Sequence, residues 1–307
     1  MTANHEGPDG FDNLTIEAMN TTFYFSVSNC MISNWKEVVS GWVQYVEKEW
    51  SRFLPDNELG KVNRLEIGAK MLLTPPLFDV LQSAEVYRRK TNGLFSPYLL
   101  PQMQYHGYES SFPFHSSDPE TYVMPSVYDQ EICPFTFDLS TRTVTRTAEG
   151  KIDLGGIGKG YTVQATARWL KNIGEAESGI VDGGGDITVW SNGKKEWKIG
   201  ISHPYQPNVE IARFRITNGS IATSNVVYRS WSQGNVIKHH LLNGKTGLPV
   251  ETSIIQATVT TETCVDAEVM TKLCFMEEVE KIPDMLKNFD LNSSFLLITE
   301  KGTVIRS

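Results

Sequence analysis

Three stretches of the chain gather residue types that can handle a phosphate or a proton. Asp153-Leu-Gly-Gly-Ile-Gly-Lys-Gly160 sets an acid and a base among glycines. Glycines let the backbone approach a ligand closely, and the amides that open a following helix suit a phosphate, to which Lys159 adds a cation. The same residues also suit a tight strand-to-helix turn with no ligand, and the GxxxxGK[ST] spacing of a nucleotide-binding loop is absent. A second cluster, Asp182-Gly-Gly-Gly-Asp186, follows a short apolar run. The third, His239-His240-Leu-Leu-Asn-Gly-Lys-Thr-Gly-Leu-Pro249, places two imidazoles before a polar turn. Histidine is the side chain best suited to move protons near neutral pH, although a lone histidine is more often structural.

These stretches need elements to position them. Thr21 to Val27 has the β-branched and aromatic content of a strand, and from Asn34 the residues Trp35, Val38, Val39, Trp42, Val43 and Val46 recur at helical spacing, with Ser33 or Asn34 as cap. A second helix is predicted over Leu77 to Lys90, ending at Asn92-Gly93. Alternation between Phe135 and Ile152 predicts a hairpin that feeds the glycine turn, and the helix after the turn presents Val163, Ala167 and Leu170 on one face before Gly174. Strands are expected near 179–181, 187–190, 198–201, 213–216, 256–260 and 295–298, with a helix from about Val265. Strict βαβ alternation is missing, so the predicted class is α+β, with mixed, largely antiparallel sheets and packed helices. Residues 1–18 read as a polar arm, 19–307 as a single domain, and about 102–131 as a long loop, rich in Ser, Pro, Tyr and His, that can act as a lid.

Composition excludes some roles. A net charge of -8 with scattered Lys and Arg argues against a nucleic-acid partner. No stretch approaches the roughly 20 apolar residues of a membrane span. The N-terminal residues lack the basic-then-apolar order of a signal peptide, so a cytoplasmic protein without membrane insertion is expected. Cys30, Cys133, Cys264 and Cys274 show no metal or redox spacing and read as core thiols.

Taken in order, the motifs resemble those of the FAD:protein FMN transferases, formerly described as thiamine-biosynthesis lipoproteins. The resemblance runs from Met19-Asn-Thr21 through Ser51-Arg-Phe-Leu-Pro-Asp-Asn-Glu-Leu59, Asn63 and Gly93-Leu-Phe-Ser-Pro97 to the two glycine clusters. It continues through Ala222-Thr-Ser224, the His240 stretch and Ala267-Glu-Val-Met-Thr-Lys272. It implies a flavin transferase that moves FMN from FAD, its substrate, to a Ser or Thr of an acceptor protein, releasing AMP. It also implies that Met19, Phe53, Leu94, Phe95, Ser96, Asp153 and Lys159 line the FAD site. Phe53 and Phe95 can pack on the flavin or adenine rings, Asp153 can accept from ribityl or ribose hydroxyls, and Lys159 can meet the pyrophosphate. His240 falls on the family's histidine and is the expected proton handler.

The same resemblance implies a Mg²⁺ site built from a carbonyl, here Gly156, and an Asp and a Thr four residues apart. The matching side chains are Glu268 and Lys272. A protonated Lys272 cannot ligate a hard cation, so either Thr271 and Asp266 supply the missing oxygens or the ammonium stands in for the ion. Ser96 stands where the family has Asp, Asn225 where it has Gly, and Asn243, Gly244 and Lys245 where it has Asp, Pro and Arg. These departures leave two alternatives to transfer: a FAD-binding protein without transferase activity, and a pyrophosphatase giving FMN and AMP.

Overall fold

The computed structural model describes residues 10–114, 124–126, 132–193 and 195–307. The strands in chain order are Asp12–Ala18 (β1), Thr21–Ser28 (β2), Lys70–Leu72 (β3), Phe135–Asp138 (β4), Thr143–Arg146 (β5), Ser178–Asp182 (β6), Asp186–Trp190 (β7), Trp197–His203 (β8), Gln206–Ile216 (β9), Gly219–Asn225 (β10), Ser230–Gln233 (β11), Val236–His239 (β12), Ile254–Thr261 (β13), Ser294–Thr299 (β14) and Val304–Arg306 (β15). The helices are Trp35–Glu49 (α1), Glu58–Asn63 (α2), Pro75–Lys90 (α3), Leu100–Tyr105 (α4), Gly158–Asn172 (α5), Cys264–Leu273 (α6) and Ile282–Lys287 (α7). They fall into two compact units. The first takes the described residues up to Tyr45, Lys159–Tyr228 and Thr252–Ser307; the second takes those of Val46–Gly158 and Arg229–Glu251.

The first unit is built on one sheet in the order β1-β2-β6-β7-β10-β13-β14-β15, antiparallel at every step. Alternation along the strands gives the sheet two apolar faces. Phe23, Phe25 and Val27 of β2 turn to one side, where they pack with Trp35, Val39 and Val43 of α1 and Val163, Ala167 and Leu170 of α5. Tyr24 turns to the other, joining Ile187, Val189 and Ile221 under Trp197, Ile199 and Ile201 of β8. The helical stripe predicted after the glycine turn is therefore the buried face of α5, and the α+β, largely antiparallel class holds.

The N-terminal stretch expected to be a polar arm departs from that reading. Its last seven residues are β1, paired in full with β2. Leu14 and Ile16 pack on the α1 side of the core, so a period of two was present but short and diluted by charge. In the second unit, β4 and β5 form the predicted hairpin within the sheet β3-β5-β4, while β11 and β12 pair separately. The expected loop at about 102–131 begins inside α4. Residues 115–123 and 127–131 of it lie outside the described residues.

Candidate functional site

In the first unit the glycine cluster after β6 is a turn that aims Asp186. Asp182 accepts from the N–H groups of Gly184 at 2.8 Å and Gly185 at 2.9 Å, both of which hold positive φ. A Cβ on Gly184 would lie 1.9 Å from Thr21 Oγ1, so only glycine fits. That contact brings the turn against the β1–β2 connection, where Met19 and Asn20 sit at φ 51° and 57°. Met19 is half-buried and packs on the core.

Asp186 enters a buried cluster of four charges. Lys159, on the first turn of α5, donates to Asp186 Oδ2 and lies 3.6 Å from Glu268 Oε1. Lys272, one turn after Glu268 on α6, sits 3.4 Å from the same oxygen and donates to the Glu268 carbonyl at 2.8 Å. The second oxygen, Glu268 Oε2, accepts from the N–H of Gly160 at 2.8 Å. That N–H belongs to the first turn of α5, where backbone donors lack helical partners, so Glu268 caps α5 from α6. A carboxylate thus takes up one donor of the helix start that the sequence offered to a phosphate.

Burial and charge compete here. Asp186 and Glu268 are 2% and 1% exposed. Burial pushes the Asp186 carboxyl up, with Glu268 adding to it and Lys159 and Lys272 opposing. Burial is also the largest single influence on Glu268, but Lys272, Lys159 and the Gly160 N–H together bring it below its usual value. Burial lowers Lys272 against the pull of both carboxylates.

Two of the oxygens offered for a metal, the Thr271 hydroxyl and one Asp266 carboxylate oxygen, already have protein partners. Thr271 is fully buried and its hydroxyl donates to the Glu268 carbonyl, with Ser224 Oγ 2.9 Å away. Asp266 accepts from the capping hydroxyl of Thr263 at 2.6 Å. Among the described residues, no group of three or more His, Cys, Asp or Glu side chains is arranged to hold a metal ion. Glu268 Oε1 has no hydrogen bond, and two ammoniums face it. One oxygen between two cations does not fit a magnesium ion, which requires near-octahedral oxygen ligands.

In the second unit Asp153 has a protein partner that sequence reasoning did not assign. Arg52 donates to Asp153 Oδ2 at 2.5 Å, and the N–H of Gly155 donates to Oδ1 at 2.9 Å. The Arg52 guanidinium carbon lies 4.8 Å from the ring centre of Phe53 and 4.2 Å from that of Tyr108. Tyr108 continues into Trp231 and Phe114, so an aromatic wall backs the cation. Phe53 is exposed, while Phe95 is buried in the core. Gly156 lies half-exposed in the turn just after Asp153.

Leu94 and Ser96 belong to a bend that meets the polar turn of the third motif. The Gly244 N–H donates to the Leu94 carbonyl at 2.8 Å, and a Cβ on Gly244 would lie 2.1 Å from the Gly93 carbonyl oxygen. Ser96 Oγ accepts from the N–H of Tyr98. His240 falls just past the end of β12 rather than on it, half-buried, with Nδ1 3.4 Å from the Arg229 carbonyl. His239 is engaged by the Val250 carbonyl at 3.0 Å, and burial lowers its pKa.

Within the first unit the structure therefore groups Lys159, Glu268, Thr271 and Lys272 with Asp186 and Ser224. Within the second it links Phe53 to Asp153 through Arg52, and Leu94 and Ser96 to the turn after His240. Asp186, Ser224 and Arg52 all lie inside the recognised motifs, but nothing local marks them as partners.

Comparison with known proteins matches the sequence model of the ApbE family to residues 19–295. The FAD:protein FMN transferase of Klebsiella pneumoniae is 28% identical over 43% of this chain and 40% of its own length. That of Treponema pallidum is 22% identical over 80% of this chain and 72% of its own. The crystal structure of the ApbE protein of Thermotoga maritima superposes with a TM-score of 0.81 at 22% identity, covering 97% of each chain.

Proposed function

Because the chain belongs to the ApbE family, we propose that it moves FMN from FAD to a Ser or Thr hydroxyl of an acceptor protein, releasing AMP. The observation that carries this reading is the family match from 19 to 295, which takes in every stretch singled out for chemistry. Relatives named FAD:protein FMN transferase support it.

In this reaction the acceptor oxygen bonds to the FMN phosphorus while the bond from that phosphorus to the AMP oxygen breaks. The hydroxyl proton goes to His240, and positioning plus charge stabilisation supply most of the catalysis. Phe53 offers the flavin an exposed ring, and Asp153 acts by holding Arg52 in place against that ring and Tyr108. Lys159, on the first turn of α5, offers an ammonium for a phosphate oxygen, while Lys272 holds the charge of Glu268. No step is routed through a divalent ion. A cytoplasmic setting belongs to the same proposal, and fractionation of the source cells checks it.

The test uses the purified chain with FAD and an acceptor domain bearing the target Ser or Thr, and mass spectrometry of the acceptor. A mass gain equal to one FMN, with AMP released in equal amount, is the expected result. Release of AMP and free FMN without a mass gain would replace transfer by hydrolysis, and FAD binding without either product would leave a binding protein.

A further inference from the structure

We propose that this chain works without a divalent ion, because the Lys272 ammonium holds the place at the end of Glu268 where such an ion would bind. The proposal rests on the transfer reading only for what the site then does; the exclusion of the ion rests on the first unit alone.

Three observations carry it. The first is occupancy, since Lys272 Nζ sits 2.8 Å from the Glu268 carbonyl and 3.4 Å from Glu268 Oε1, the two oxygens that this turn of α6 offers. A protonated lysine has donors only and cannot share them with a cation. The second is charge. Lys159 and Lys272 balance Asp186 and Glu268, two against two, so the cluster keeps no net negative charge to attract a dication. An ion on Glu268 Oε1 would also meet both ammoniums at close range in a buried setting, where repulsion is poorly screened. The third is the ligand set. Glu268 Oε2 accepts from Gly160, the Thr271 hydroxyl donates into its own helix, and Asp266 is part of the α6 cap.

The substitution also changes what the site can do. A divalent ion brings two charges and can polarise an oxygen directly, whereas an ammonium brings one charge and hydrogen-bond donors. The positive charge at Glu268 is then fixed in the chain, with no exchangeable ion to lose.

Manganese is the probe, because its free form is read directly by electron paramagnetic resonance. The full chain is titrated with MnCl₂ with and without saturating FAD, while flavin fluorescence reports FAD binding separately. Wild type is expected to show no saturable site tighter than about 1 mM, and FMN transfer is expected to persist in excess EDTA. Glu268→Asp with Lys272→Thr is expected to gain one Mn²⁺ site, its fold checked by circular dichroism. Stoichiometric Mn²⁺ binding by wild type that Glu268→Gln abolishes overturns the proposal, as does a folded double variant that gains no site. If the double variant does not fold, the wild-type titration decides alone. Failure of FAD to bind overturns the transfer reading and leaves the manganese result in the FAD-free protein standing.

Discussion

Arg52 reaches Asp153 across 101 positions of sequence, with its guanidinium 4.2 Å from the ring centre of Tyr108. Asp153 and Arg52 are held together in a largely buried pair, so the two side chains should behave as one unit. Asp153→Ala leaves a largely buried guanidinium without its carboxylate, and removing one partner of such a pair costs about 3–5 kcal/mol. The expected outcome is a lowered melting temperature and weaker FAD binding for each single variant, with little further loss in Arg52→Ala/Asp153→Ala. Additive losses in a double-mutant cycle would show that the two act separately.

His240→Ala is expected to slow transfer by about 10²–10⁴-fold with FAD affinity nearly unchanged, as for a group that acts in the transition state. His239 is the control, since its ring is already engaged by the Val250 carbonyl. His239→Ala should lose about 1 kcal/mol of stability and transfer at close to the normal rate. Single-turnover kinetics on the two variants separate the roles, and equal rates would return His240 to a structural part.

Lys272→Met removes one of two cations from a cluster that keeps both carboxylates. The expected loss is about 3–5 kcal/mol, read by urea unfolding. Lys272→Arg keeps the charge and should recover part of it, short of the full amount because a planar fork replaces a compact ammonium. A Met variant as stable as wild type would mean that the cluster does not depend on Lys272.

Glu85 gives a pH dependence with a definite sign. Burial alone would raise its carboxyl, but hydrogen bonds and charge from Arg88 and Arg89, with the Tyr98 hydroxyl, bring it below its usual 4.5. A carboxyl lowered in the folded state binds its proton more readily when unfolded. Its contribution is therefore complete above about pH 4.5 and is lost as pH falls below that through the folded value. Urea unfolding of wild type and Glu85→Gln between pH 7 and pH 3 should show a stability gap that closes toward acid. A gap constant with pH would rule out this pairing as its source.

Elements with a full apolar stripe were legible in the sequence. The spacing of Trp35, Val39 and Val43, and of Val163, Ala167 and Leu170, gave α1 and α5, because a stripe that packs against a sheet needs every third or fourth position. β10 escaped because Ser220, Ala222 and Ser224 are small or polar, and a central strand of this kind is recognised by its neighbours rather than by its own pattern. Among the site residues, Glu268 and Lys272 stood out as a pair through the family resemblance, which implies two ligands four residues apart there. The partners of Lys159 and Asp153 did not. Asp186 and Arg52 come from other elements, and only the closed fold brings them together.

The space at Gly184 also acts as a gauge for how β2 is laid down. Thr21 Oγ1 fills the volume that a side chain there would need, and β2 then runs beside β6 with Tyr24 opposite Asp182. A shift of one residue would exchange the two faces of β2, sending Phe23 and Phe25 to the side now held by Tyr24. It would also bring Thr22 or Asn20 to the gap in place of Thr21. The fit of one hydroxyl against one glycine thus penalises mispairing of β2 with β6 where the β1–β2 and β6–β7 turns meet.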